Sequence, residues 1–95
     1  MQAAHAPELL NCPILIIEDN EANRIYLTSA LKARGLNNLM AVDSGEEAMR
    51  CIDNFSPELV ILDLMMPGMD GFECSRAIRS HPQYHDLPIL VQTSV

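Results

Sequence analysis

Two short apolar runs end on acids, and this constrains the chain more than any other feature. Leu59-Val60-Ile61-Leu62 closes on Asp63, and Ile14-Leu15-Ile16-Ile17 runs into Glu18-Asp19-Asn20. Four consecutive large aliphatics with no polar alternation describe a strand buried on both faces, as in a parallel sheet. A carboxylate on the last residue of such a strand stands at a carboxyl end of the sheet, where open α/β folds bind their ligands. The Pro67-Gly68 and Asp70-Gly71 pairs that follow are turn chemistry. Asp63 is therefore lifted out of the core and aimed into a crevice. If the two strands are neighbours, Glu18, Asp19 and Asp63 converge. Three carboxylates in one crevice repel, and each resists ionising beside the others. A divalent cation removes that conflict. Hard oxygen ligands with a few retained waters suit Mg²⁺ better than a transition metal.

Apolar and polar periodicity between these runs gives alternating strands and helices. The first strand is expected over Ile14–Glu18 and the first helix over Glu21–Arg34, stopped by Gly35, a common C-terminal cap residue. Leu27, Ala30, Leu31 and Arg34 share one helical face, the last through its stem. A short strand follows at Asn38–Val42. Ser44-Gly45-Glu46-Glu47 is a capping-box pattern and opens a helix to about Asn54, with Ala48, Met49, Cys51 and Ile52 on its apolar face. Pro57 precedes the strand Leu59–Asp63. Asp70 is the candidate N-cap of a helix from Gly71 to Ser80, with Phe72, Ala77 and Ile78 expected against the sheet. Pro88 precedes a last strand, Ile89–Thr93. Such alternation implies a parallel sheet with right-handed crossovers.

Composition bounds the function classes. Ninety-five residues that are 48% hydrophobic suit a single globular domain with a modest core, and 4% aromatic content makes that core aliphatic. A net charge of −7 argues against nucleic acid as a direct partner. No apolar run is long enough to span a bilayer. Residues 1–11 lack the basic start and apolar stretch of a signal peptide and are expected to form a flexible extension, in a cytoplasmic protein. Cys12, Cys51 and Cys74 are odd in number and widely spaced, which fits neither a disulfide framework nor a zinc site. Small buried or half-buried thiols are the expected role. Pro82 interrupts His81 and His85, so His81–Asp86 reads as a polar loop rather than a helical metal pair.

The segments Ile14–Asn20, Asp63–Gly71 and Val91-Gln92-Thr93-Ser94 together resemble the receiver domain of two-component response regulators. Asp-Leu-x-Met-Pro-x-Met-Asp-Gly, read from Asp63, is the long and specific part of that match. The resemblance runs from about Cys12 to Val95. Glu18-Asp19-Asn20-x-x-Asn23-Arg24 also resembles the first loop and helix of receivers attached to hybrid histidine kinases, and free-standing receivers carry it too.

The resemblance implies a flavodoxin-like, doubly wound α/β domain over residues 12–95 with strand order 2-1-3-4. That order makes the first and third strands neighbours, as the acidic cluster requires. It implies that Asp63 is the nucleophile and takes a phosphoryl group from a histidine kinase or phosphotransfer protein. Asp19 and Asp63 would bind Mg²⁺ directly, Glu18 directly or through water, and the Met65 backbone carbonyl would add a ligand. The Thr93 hydroxyl would hydrogen-bond the phosphoryl group, with Ser94 as the small residue leaving room for it. Pro67 and Gly68 shape the adjoining loop. Such a protein is a signalling phosphoacceptor and not an enzyme acting on other substrates.

One departure from the family stands out. Receivers continue with a fourth helix, a fifth strand ending in a Lys and a last helix, whereas this sequence stops at Val95 and its single Lys, Lys32, falls on the first helix. The expected domain is thus incomplete at its C-terminus. Its fourth strand would present Ile89-Leu90-Val91 as an apolar edge, an expected route to self-association. The alternative function is a degenerate receiver that binds or assembles without phosphorylation. An aspartate-nucleophile phosphatase of the haloacid-dehalogenase type wants an acid two residues after its nucleophile, and Met65 occupies that place.

Overall fold

The computed structural model describes residues 10–64 and 70–92. Among these residues seven elements alternate: β1 (Ile14–Ile17), α1 (Glu21–Ala33), β2 (Leu39–Val42), α2 (Gly45–Phe55), β3 (Leu59–Asp63), α3 (Gly71–Ser80) and β4 (Ile89–Gln92). The described strands form one parallel sheet in the order β2-β1-β3-β4. This is the doubly wound order that the resemblance implied, built on the parallel pairing that the alternation of strands and helices implied, and β1 and β3 lie side by side.

Burial on both faces explains why β1 and β3 carry no polar alternation. Leu15, Ile17, Val60 and Leu62 point to one face, where Ala48 and Ile52 of α2 and Cys74 and Ile78 of α3 close the main core. Ile14, Ile16 and Ile61 point to the other, against Leu27 and Leu31 of α1 and Leu36, Leu39 and Leu59. Each fully buried aliphatic of this kind contributes about 1.5–3 kcal/mol relative to exposure. On β4, Leu90 is 58% and Val91 46% exposed.

Local chemistry sets the helix ends. Asn20 caps α1, its side chain accepting the Asn23 N–H at 2.9 Å. The helix ends in a Schellman motif: Gly35 N–H donates to the Lys32 carbonyl and Leu36 N–H to the Leu31 carbonyl. Gly35 sits at φ +89°, which a side chain would strain, and a Cβ there would also press on Leu10 at 3.2 Å. Asn38 donates to the Asn11 carbonyl at 3.2 Å, so the residues just before β1 are tied to the domain.

Three expectations change. The reciprocal capping box belongs to α3, where Asp70 accepts the Glu73 N–H and Glu73 accepts the Asp70 N–H. At α2 only Ser44 caps, because Glu47 turns outward to hold the Arg50 guanidinium at 2.9 Å. Second, α3 faces the sheet with Gly71, Cys74 and Ile78, while Phe72 is 60% exposed. Third, the polar loop is anchored. Tyr84 and Leu87 are buried in the main core, and the Tyr84 hydroxyl donates to the Ile52 carbonyl at 3.3 Å. His81 stacks on Tyr84 at a centroid distance of 4.6 Å and pairs with Asp53 at 3.0 Å. His85 pairs with Asp86 at 3.4 Å, so the two histidines serve different partners.

Cys12 and Cys51 are half-buried and Cys74 is fully buried, all as free thiols. Among the described residues, no helix is long and apolar enough to cross a membrane.

Candidate functional site

The register of the sheet builds the site. Ile17 pairs with Leu62, so the next residues, Glu18 and Asp63, stand side by side at the carboxyl ends of β1 and β3. Glu18 N–H extends the ladder on the other side, donating to the Val42 carbonyl at 3.1 Å. Asp63 in turn pairs with Gln92 of β4. Glu18, Asp63 and Gln92 therefore share one face, on three adjacent strands.

Carboxylate oxygens of Glu18, Asp19 and Asp63 all lie within 4.8 Å of one another. Glu18 and Asp63 are completely buried, whereas Asp19 is exposed. The crevice thus has two dry carboxyls and one at its mouth. Burial pushes the Glu18 carboxyl above its ordinary range. The Asn20 N–H opposes this, and the adjacent Asp63 and Asp19 carboxyls add to it.

The loop after β1 is held by its own backbone and by α1. Asn20 N–H donates to Glu18 Oε2 at 3.1 Å. Arg24, one turn into α1, donates through Nη1 to the carbonyls of Glu18 at 3.0 Å and Asp19 at 3.2 Å. Its guanidinium clamps the acidic loop and brings a cation beside it.

Gly71 fixes the other wall. Its N–H donates to the Leu64 carbonyl at 3.2 Å, which draws the start of α3 onto the end of β3. A Cβ at Gly71 would collide with the Leu64 backbone and stand 2.7 Å from the Asp63 carbonyl oxygen. Asp70-Gly71 is therefore more than a turn: the cap starts the helix and the glycine lets it close on the strand.

The structure brings together Glu18, Asp19 and Asp63 of the expected site. Met65, Pro67, Gly68, Thr93 and Ser94 lie outside the described residues. A residue that sequence reasoning passed over is Gln92, whose Nε2 donates to Glu18 Oε1 at 3.3 Å. Its only sequence signal was a long polar side chain at the inner end of an otherwise apolar strand.

Residues 14–95 match the family model described as "Response regulator receiver domain". The chain belongs to this family. Among curated relatives, the receiver is 43% identical over 81 residues to response regulator MprA of a Mycobacterium species. It is 38% identical over 81 residues to the transcriptional regulatory protein AfsQ1 of Streptomyces coelicolor. Each match covers 85% of this chain and 34% of the relative, so the chain spans about a third of their length. A solved structure of similar fold is the receiver domain of the Arabidopsis thaliana histidine kinase CKI1, complexed with Mg²⁺ and BeF3⁻. It superposes with a TM-score of 0.81 at 26% identity, over 97% of this chain and 72% of that one. The N-terminal domain of a response regulator receiver protein from Methanoculleus marisnigri gives 0.77 at 33% identity, over 83% and 63%.

Proposed function

We propose that this receiver accepts a phosphoryl group on Asp63 from a phosphohistidine of a histidine kinase or phosphotransfer protein, with Mg²⁺ as cofactor. The observation that carries the reading is the convergence of Glu18, Asp19 and Asp63 oxygens within 4.8 Å at the ends of adjacent strands. The donor set fits the cation: all oxygen, two carboxyls dry and one at the mouth. Asp19 and Asp63 would hold Mg²⁺ directly, and Glu18 directly or through water. The Met65 carbonyl would be a further ligand and the Thr93 hydroxyl a phosphoryl hydrogen-bond donor. When bound, Mg²⁺ offsets the negative charge that otherwise keeps a carboxylate and a phosphoryl group apart.

The protein's own part is positional. An Asp63 oxygen attacks phosphorus, the N–P bond of the phosphohistidine breaks with its electron pair returning to the imidazole, and an acyl phosphate remains. Strand β3 holds Asp63 rigidly for in-line approach, and Gly71 keeps the wall beside it close. The Mg²⁺-bound receiver of CKI1, with its similar fold, supports the same cofactor here.

Incubation with acetyl phosphate and Mg²⁺, followed by intact-mass measurement, tests the proposal. One phosphoryl mass increment is expected on the wild type, lost in Asp63→Asn and in EDTA. No increment on the wild type would favour a binding module instead. An increment retained in Asp63→Asn would move the acceptor elsewhere.

A further inference from the structure

We infer that Gln92 is a positioning residue that restrains Glu18 between two donors and thereby sets the affinity of the site for Mg²⁺. The inference rests on the Mg²⁺-dependent reading of the site above, and adds to it a residue on a third strand. Gln92 pairs with Asp63, and Asp63 stands beside Glu18, so the Gln92–Glu18 bond crosses two strand intervals. Strands lie about 4.8 Å apart, so the backbones are separated by roughly 10 Å. Only two long side chains meet across that gap. Gln and Glu reach at 3.3 Å, over the shorter Asp63 between them.

The two ends of the Glu18 carboxylate are held from different sides. Oε2 takes the Asn20 N–H at 3.1 Å and Oε1 takes the Gln92 amide at 3.3 Å. Glu18 is completely buried, so no bulk water replaces a lost donor. Each oxygen keeps a further lone pair, and a cation that took Glu18 directly would compete with these two donors for the direction of its carboxylate. The restrained Glu18 therefore serves Mg²⁺ through water, and Asp19 and Asp63 carry the direct bonds. Because the Gln92 amide is neutral, it orients Glu18 without adding a charge to the crevice.

Two substitutions separate the donor from its reach. Gln92→Met keeps length and shape but removes the amide, and Gln92→Asn keeps the amide but is one methylene short. Calorimetric Mg²⁺ titration of the full chain reads the affinity, and the Asn20 amide shift by NMR reports Glu18 orientation without metal. Both variants are expected to bind Mg²⁺ roughly three- to tenfold more tightly, since a competing hydrogen bond to Glu18 is gone. Both are also expected to shift the Asn20 amide. Unchanged or weaker binding in both would overturn the inference, as would tighter binding with an unmoved Asn20 amide. Asp19→Ala serves as the reference: if it leaves Mg²⁺ affinity untouched, the site reading itself fails. If it abolishes binding while the Gln92 variants match the wild type, only the role of Gln92 fails.

Discussion

Leu62 and Asp63 are neighbours on one strand, equally buried, and opposite in what they do to the fold. Leu62 points into the main core against α2 and α3 and has no contact with solvent. Asp63 has none either, yet it faces two other carboxyls within 4.8 Å. Ile17 and Glu18 repeat the contrast one strand away. Burial of the aliphatic body stabilises the sheet. Burial of the acids at its end opposes folding through desolvation and mutual repulsion. The comparison teaches that the strand bodies supply the stability that the strand ends spend on a charged site.

The largest effect should come from breaking the body. Leu62→Ala removes a fully buried side chain between two helices and the sheet. A loss of about 2–5 kcal/mol in denaturant unfolding is expected. For a domain of this size that is enough to populate unfolded chains at room temperature. A loss below 1 kcal/mol would mean that the core is less tightly packed than its burial implies.

Next comes the join between body and end. Gly71→Ala puts a methyl against the Leu64 backbone and the Asp63 carbonyl, neither of which can swing aside. Overpacking of this kind costs roughly 1–3 kcal/mol. The same shift should reach the site, lowering Mg²⁺ affinity in proportion. Unchanged stability and affinity would place α3 further from β3 than described.

A smaller effect sharpens the end itself. The folded Glu18 carboxyl is pushed up by burial and by the neighbouring acids. Between the ordinary carboxylate range and that raised value, the folded chain holds a proton that the unfolded chain has lost. Stability contributed there is present at low pH and is lost as pH rises through the window. In EDTA, the wild type should therefore fall behind Glu18→Gln as pH is raised from about 4 to 7. Thermal unfolding of the two across that range checks it, and a gap that is flat or narrows would contradict the raised Glu18.

The smallest effect is chemical rather than energetic. Burial pushes the Cys74 thiol up to about 11. Cys12 and Cys51 are raised less and are only half-buried. Alkylation at neutral pH should modify those two first and reach Cys74 only on unfolding. Equal rates at all three would show that the body of the sheet opens readily.

Much of this was legible in the sequence, for a physical reason. A strand buried on both faces must be apolar throughout, so Ile14–Ile17 and Leu59–Leu62 announced the sheet, while the meeting of Glu18, Asp19 and Asp63 required the two strands to be neighbours, which the resemblance implied. Helix caps were less legible. Ser44-x-x-Glu47 and Asp70-x-x-Glu73 have the same pattern, and only the competing Arg50 decides that the first box stays half made. On α3, Ile78 is buried as expected, but Gly71 and Cys74 share its inner face and are too small to signal it, while the large Phe72 points outward. Tyr84 and Leu87 were hidden in a stretch whose polar neighbours read as loop. Gln92 could not be found from its type, because its meaning lies in a register across three strands.

Chemical denaturation of the wild type and Asp63→Asn, each with and without Mg²⁺, tests the central claim most directly. Removing one of three crowded carboxylates should make Asp63→Asn more stable than the wild type in EDTA, by about 1–2 kcal/mol. Saturating Mg²⁺ should stabilise the wild type more than the variant and close or reverse that gap. An Asp63→Asn chain less stable than the wild type in EDTA, with Mg²⁺ stabilising both alike, would contradict the account.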